Sequence, residues 1–287
     1  MKPCLTKYPS YFLLVLALSA ILLSCKKQDD DGGLPDNDHP GVLYYEAEYQ
    51  HYTSTTFDNS SRPLVICLPS DYDTITVKLP VLYLFHGYGG SESSWIVDGH
   101  ITGKLSAAYE AGVIGPMIVV MPLCEPQGSN FSGVGPDGDA FVREMVVDII
   151  PYIESHYHVS TERRHRAVGG LSAGGMQTLN LALFYPELFD YVYPMSTGYM
   201  DAARTEIETG VYDAMLNNPE INNIKKFTFS IGKQDFLFYG SHFQATLDLL
   251  DTYGIQYDYW EADGGHDWIF WQLSLDTLLP EIFREEE

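Results

Sequence analysis

Positive charge is scarce in this chain. Lysine and arginine number 16 against 39 aspartates and glutamates, for a formal net charge of −23. Such a surface repels polyanions, which excludes nucleic acid as a partner and leaves neutral or cationic substrates. Cysteine is equally sparse: Cys4, Cys25, Cys67 and Cys124 have no histidine or second cysteine at metal-ligand spacing, so no metal site is expected. A long apolar run is missing too. The longest, residues 12–23, is mostly apolar but falls short of the ~20 residues that a membrane-spanning helix needs. There is no internal repeat and no second domain boundary. What remains, 45% hydrophobic and 19% charged over 287 residues, is an ordinary globular composition able to bury a large core.

The N-terminus is set apart from this. Lys2 and Lys7 precede the short apolar run, which ends in Leu22-Leu23-Ser24-Cys25. A positive start and a short apolar stretch predict a targeting segment over residues 1–24. Its end resembles the lipobox of bacterial lipoproteins, where a small residue precedes a cysteine that is lipidated and becomes the new N-terminus. The resemblance implies lipidation at Cys25, a membrane anchor and a place in the cell envelope at the outer membrane. A plain secretory signal or an uncleaved anchor is the alternative. Residues 25–40, polar and rich in Gly, Pro and Asp, predict a flexible tether. The stretch from Lys26 to Asp31 resembles the acidic tract that sends some lipoproteins to the cell surface. Cys67 and Cys124 are then left as either a disulfide, which export permits, or two buried thiols.

From residue 41 to 287 short apolar runs alternate with amphipathic stretches. Residues 41–52 and 61–72 read as an antiparallel strand pair leading into a sheet. "LPVLYLFHG" (79–87) is continuously apolar, as a strand buried on both faces must be. Helices are expected near 101–111, over 139–157 with a kink or new turn at Pro151, after Ser172, and over 241–253. Further strands fall at 116–122, 191–196, 226–232 and 256–262. Alternating strands and helices predict a mainly parallel central sheet with helices on both faces.

Within this pattern Gly170-Leu171-Ser172-Ala173-Gly174 stands between the strand-like "HRAVGG" and the apolar helix "SAGGMQTLNLALFY", which stops before Pro186. A Gly-x-Ser-x-Gly motif at a strand–turn–helix junction is the context of a nucleophile elbow, which predicts an α/β-hydrolase fold with Ser172 as nucleophile. Ala173 would open the helix and offer its N–H to an oxyanion. The order in this fold is serine, acid, histidine. Only His242 and His266 follow Ser172. His242 falls inside a helix, whereas His266 lies in the glycine loop "DGGHDW" (263–268), where a base would be carried. Asp235, at the carboxyl end of the strand 226–232, is the acid by position. Asp263 and Asp267 sit too close to His266 in sequence to reach behind its ring. The loop His86-Gly87-Tyr88-Gly89-Gly90 directly follows an early core strand and makes the Tyr88 N–H the second oxyanion donor, with His86 bracing the loop. Four tryptophans, Trp95, Trp260, Trp268 and Trp271, either line a cleft or pack.

Together "LPVLYLFHGYGGSESSW" (79–95), "AVGGLSAGGMQTLNLALFYPELFDYVYPMS" (167–196), "SIGKQDF" (230–236) and "GGHDWIFW" (264–271) resemble the esterase D family, particularly the feruloyl and acetyl-xylan esterases of carbohydrate esterase family 1. The resemblance implies cofactor-free serine esterase chemistry on ester-decorated polysaccharide, with Ser172, Asp235 and His266 as the triad and Tyr88 and Ala173 as backbone donors. Ala173 departs from the Met that many relatives carry there, which narrows the side chain and leaves the backbone donor intact. A siderophore or other small-ester hydrolase is the rival enzyme. A catalytically weak carbohydrate-binding lipoprotein is the rival of another class.

Overall fold

The computed structural model describes residues 44–124, 134 and 139–284. The expected targeting segment over 1–24, the expected tether over 25–40 and Cys25 lie outside the described residues. Eight strands form one sheet in the order β1-β2-β4-β3-β5-β6-β7-β8. β1 (Tyr45–Ser54) pairs antiparallel with β2 (Ser60–Pro69), and β2 pairs antiparallel with β4 (Ile118–Pro122). From there β3 (Val81–Phe85), β5 (Arg166–Leu171), β6 (Tyr191–Met195), β7 (Lys226–Gly232) and β8 (Asp258–Ala262) run parallel. The sheet is mainly parallel, as its apolar strand runs predicted.

The helices are α1 (Ser94–Val97), α2 (Ile101–Glu110), α3 (Ala140–Glu144), α4 (Ile150–His156), α5 (Ala173–Phe184), α6 (Asp201–Glu208), α7 (Asp213–Leu216), α8 (His242–Thr252) and α9 (Trp268–Leu278). They divide between the two faces because side chains alternate along each strand. On β3, Val81, Tyr83 and Phe85 join a core with Phe141, Met145, Leu179 and Leu247, from the helices of one face. Leu82 and Leu84 join Leu105, Trp95, Phe270 and Leu275 on the other. The same division decides the cysteines. Cys67 packs in one core and Cys124 in the other, and both are buried free thiols, with the sheet between them.

The helix expected over 139–157 runs without a gap from Ala140 to His156, with a π-helical turn, Met145–Ile149, between α3 and α4 and Pro151 just beyond it. Proline has no N–H to return to the preceding turn, and the ladder widens there. Polar side chains of this element also hold the β1–β2 hairpin. The N–H groups of Thr55 and Thr56 donate to Asp148, each at 3.0 Å, and the Tyr52 hydroxyl donates to Glu144 at 2.6 Å. The expected helices do not include α6 and α7, between β6 and β7. Ala203 and Ile207, one turn apart, are the buried residues of α6.

Candidate active site

The site is assembled at the carboxyl ends of β3, β5, β7 and β8, where loops leave the parallel strands. At the end of β5 the chain turns sharply into α5 with Ser172 at φ 54° and ψ −117°. A non-glycine residue in this region costs roughly 1–3 kcal/mol and persists only where its surroundings hold it. Here they do. The Ser172 N–H donates to the Met195 carbonyl at 2.9 Å, and the Ser172 carbonyl accepts from Met176 N–H at 3.1 Å and from the Thr197 hydroxyl at 2.8 Å. The flanking glycines are a steric necessity. A Cβ on Gly170 would lie 2.5 Å from the Gly174 carbonyl oxygen, and one on Gly174 would lie 2.7 Å from the Phe85 Cβ.

β7 and β8 deliver the other two side chains through loops that are bonded to each other. Gln234 N–H donates to the Gly264 carbonyl at 2.9 Å, and Gly264 N–H returns to the Gln234 side-chain oxygen at 2.6 Å. On this double link His266 reaches both partners: its Nδ1 lies 2.8 Å from Asp235 Oδ2 and its Nε2 lies 3.0 Å from Ser172 Oγ. Asp235 is buried, and its second oxygen accepts the N–H groups of Leu237 and Phe238, each at 3.1 Å. An ionised carboxylate can only accept, so Nδ1 carries the proton of the pair and Nε2 is left to accept from the serine hydroxyl. Of the aspartates near His266 in sequence, Asp267 caps α9, accepting from Phe270 N–H at 3.1 Å.

The glycine loop after β3 lies against the elbow. A Cβ on Gly87 would sit 2.7 Å from Leu171 Cδ1 and 3.3 Å from the Ser172 Cβ. Beneath it the His86 ring is committed on both nitrogens. Cys124 N–H donates to Nε2 at 3.1 Å, so Nδ1 holds the proton and donates to the Gly87 carbonyl at 2.7 Å. His86 thus braces the loop and takes no part in acid–base chemistry, as its position suggested. Tyr88 follows, with its side chain exposed. Ala173 is the first residue of α5, and a first-turn N–H has no intrahelical acceptor, so it is available at Ser172.

The tryptophans pack. Trp95 is buried, and its indole N–H donates to the Phe85 carbonyl at 3.0 Å. Its ring meets Trp268 edge to face at 5.1 Å, Trp268 meets Trp271 at 5.2 Å, and Trp271 meets the His266 imidazole at 5.1 Å. Sequence reasoning had no means of finding this chain of rings. Among the described residues, no group of three His, Cys, Asp or Glu side chains is placed to hold a metal ion.

An eight-stranded α/β-hydrolase sheet with serine, histidine and aspartate in hydrogen-bonded series at its elbow defines the class. The Esterase family model ("Putative esterase") matches residues 54–282, and the chain belongs to that family. Over 122 residues it is 34% identical to the endo-1,4-beta-xylanase/feruloyl esterase of Xylanibacter ruminicola, covering 42% of this chain and 17% of that one. It is 25% identical over 229 residues to an acetyl esterase of Caldicellulosiruptor saccharolyticus, covering 69% of this chain and 81% of the relative. A solved ferulic acid esterase superimposes with a TM-score of 0.71 at 26% identity, over 84% of this chain and 98% of its own. The chain spans 17% and 22% of the length of the two xylanase relatives it matches.

Proposed function

We propose that this protein is a serine esterase that removes feruloyl or acetyl groups from plant polysaccharide such as xylan. The observation that carries the reading is the series Ser172 Oγ, His266 and Asp235, linked at 3.0 Å and 2.8 Å. His266 Nε2 takes the hydroxyl proton as Ser172 Oγ attacks the ester carbonyl, and Asp235 stabilises the imidazolium that forms. The oxyanion is received by the backbone N–H groups of Tyr88 and Ala173. Collapse breaks the bond to the sugar oxygen, which leaves with the proton from His266. Water then attacks the acyl-enzyme with His266 again as base, releasing the acid and restoring Ser172. Every step uses side chains and amides of this chain.

The choice of acyl group follows the family relatives, one named a feruloyl esterase and another an acetyl esterase. The test is turnover of methyl ferulate, acetylated xylan and a panel of unrelated esters, with Ser172→Ala as control. Activity on either of the first two that disappears in Ser172→Ala is expected. Inactivity on both, with good turnover of another ester, would remove the substrate assignment.

We also infer that the protein is a lipoprotein of the bacterial outer membrane, cut before Cys25 and anchored there. The support is the short apolar run after two lysines and its Leu22-Leu23-Ser24-Cys25 ending. Metabolic labelling with a radioactive fatty acid should mark the wild type and leave Cys25→Ser unlabelled. Equal labelling of both would sink it.

A further inference from the structure

His266 sits in a loop and is not held by any helix or strand, and Gly264 just before it has φ +156°. Its two hydrogen bonds, to Asp235 at Nδ1 and to Ser172 at Nε2, lie on opposite sides of the ring. Together they define an axis. They fix where the nitrogens are and restrain the imidazole less against tilting about that line than against other movements. Beyond the Cβ tether, contacts on the ring faces oppose such a tilt.

The structure supplies one. The Phe238 ring stacks on the imidazole at 5.5 Å between centroids and 29° between planes, while Trp271 meets it at 86°. Phe238 is drawn from a run whose other members face outward: Phe236 is 83% exposed, Leu237 and Tyr239 about half that, and Phe238 only 5%. Its inward turn is held by the backbone. Its N–H donates to Asp235 Oδ1 at 3.1 Å, and its carbonyl accepts from Ser241 and Phe243 N–H at 3.2 Å and 3.1 Å. One residue therefore touches both the acid and the base: its amide helps fix which Asp235 oxygen faces the histidine, and its ring covers the histidine's face.

We propose that Phe238 is a positioning residue for the reaction, stacking on His266 to hold its plane between Asp235 and Ser172 and to favour the imidazolium of the transition state. The face of a phenyl ring is the negative pole of its quadrupole and attracts a cation. Histidine is neutral with substrate bound and cationic as Ser172 attacks. The attraction is thus gained on the way to the transition state, and it belongs to kcat and not to KM.

This rests on the reading of Ser172, His266 and Asp235 as the catalytic series, and the experiment separates the two. Phe238→Leu keeps an apolar side chain and removes the ring face. It should lower kcat about tenfold with KM changed less than about twofold. Replacing Phe238 with phenylalanines bearing one, two and three ring fluorines weakens the face while nearly keeping the shape, and remains readable if the leucine variant folds poorly. kcat should fall stepwise along the series at constant KM and constant melting temperature. A flat series would overturn the proposal, whether or not Phe238→Leu is impaired, because it would reduce Phe238 to steric packing. Retention of activity by Ser172→Ala would instead sink the catalytic reading itself.

Discussion

Two histidines lie against the ring of Phe238, and each has an aspartate beside it. His266 and Asp235 are 2.8 Å apart, with the carboxylate buried and its other oxygen answered by two backbone N–H groups. His242 and Asp201 are 3.5 Å apart, and Asp201 is 76% exposed. His242 Nδ1 is buried and has no hydrogen-bond partner among the described residues. Its ring meets Phe238 at 69°, where His266 stacks at 29°. The residue types are the same, and the chemistry differs through surroundings. A carboxylate in water is screened and spends little on its partner. A buried one with its lone pairs occupied must be satisfied in place, which fixes the orientation of the imidazole and supports its positive charge.

The comparison is broken most severely at the base. His266→Ala should lower kcat by about 10^5 to 10^6, the scale of loss when a unit of this kind loses its base. Burst kinetics with an activated ester should show no acyl-enzyme. Asp235→Asn comes next. The amide can donate to Nδ1, which favours the wrong tautomer and should lower kcat/KM by about 10^4 while the fold and melting temperature change little. A residual rate within tenfold of wild type would make another carboxylate the partner.

Asp139 sharpens the comparison from the side of burial alone. It is buried like Asp235, and desolvation raises its pKa from 3.8 to about 6. A carboxyl that binds its proton more tightly when folded is stabilising at low pH, and that contribution is lost as pH rises from about 4 to about 6. Asp139 caps α3, accepting from Phe141 N–H at 3.0 Å, and Asp139→Asn keeps that cap while removing the titration. Its stability should therefore fall less than that of wild type over this window, by up to about 3 kcal/mol. Denaturant melts at pH 4 and pH 7 measure it, and parallel wild-type and variant curves would refute it.

The smallest effect is expected at the second pair. In His242→Gln, kcat and KM should stay within about twofold and stability within about 0.5 kcal/mol. A loss near that of His266→Ala would erase the distinction between the two sites.

Much of this site could be read in advance. Ser172, Asp235 and His266 occur in the order an α/β-hydrolase requires, each just after a recognisable strand, and the glycines around Ser172 mark a turn that admits no side chain. The role of His86 as a brace was legible for the same reason, since it acts on backbone of its own loop, whereas the capping role of Asp267 came only with the structure. The π-helical turn at Met145–Ile149 was legible only as the warning of Pro151, and the expected helices do not include α6 and α7.

Local pattern alone thus determined the strands, most of the longer helices and the chain order of Ser172, Asp235 and His266, because periodicity and steric constraint act over a few residues. Tertiary structure decided everything that depends on which loops become neighbours. Sheet order brought the ends of β5, β7 and β8 together, turned Phe238 inward onto His266 while Phe236 stayed in water, and separated Cys67 from Cys124 by the thickness of the sheet. These contacts join residues far apart in the chain. Their geometry exists only once both faces of the sheet are packed.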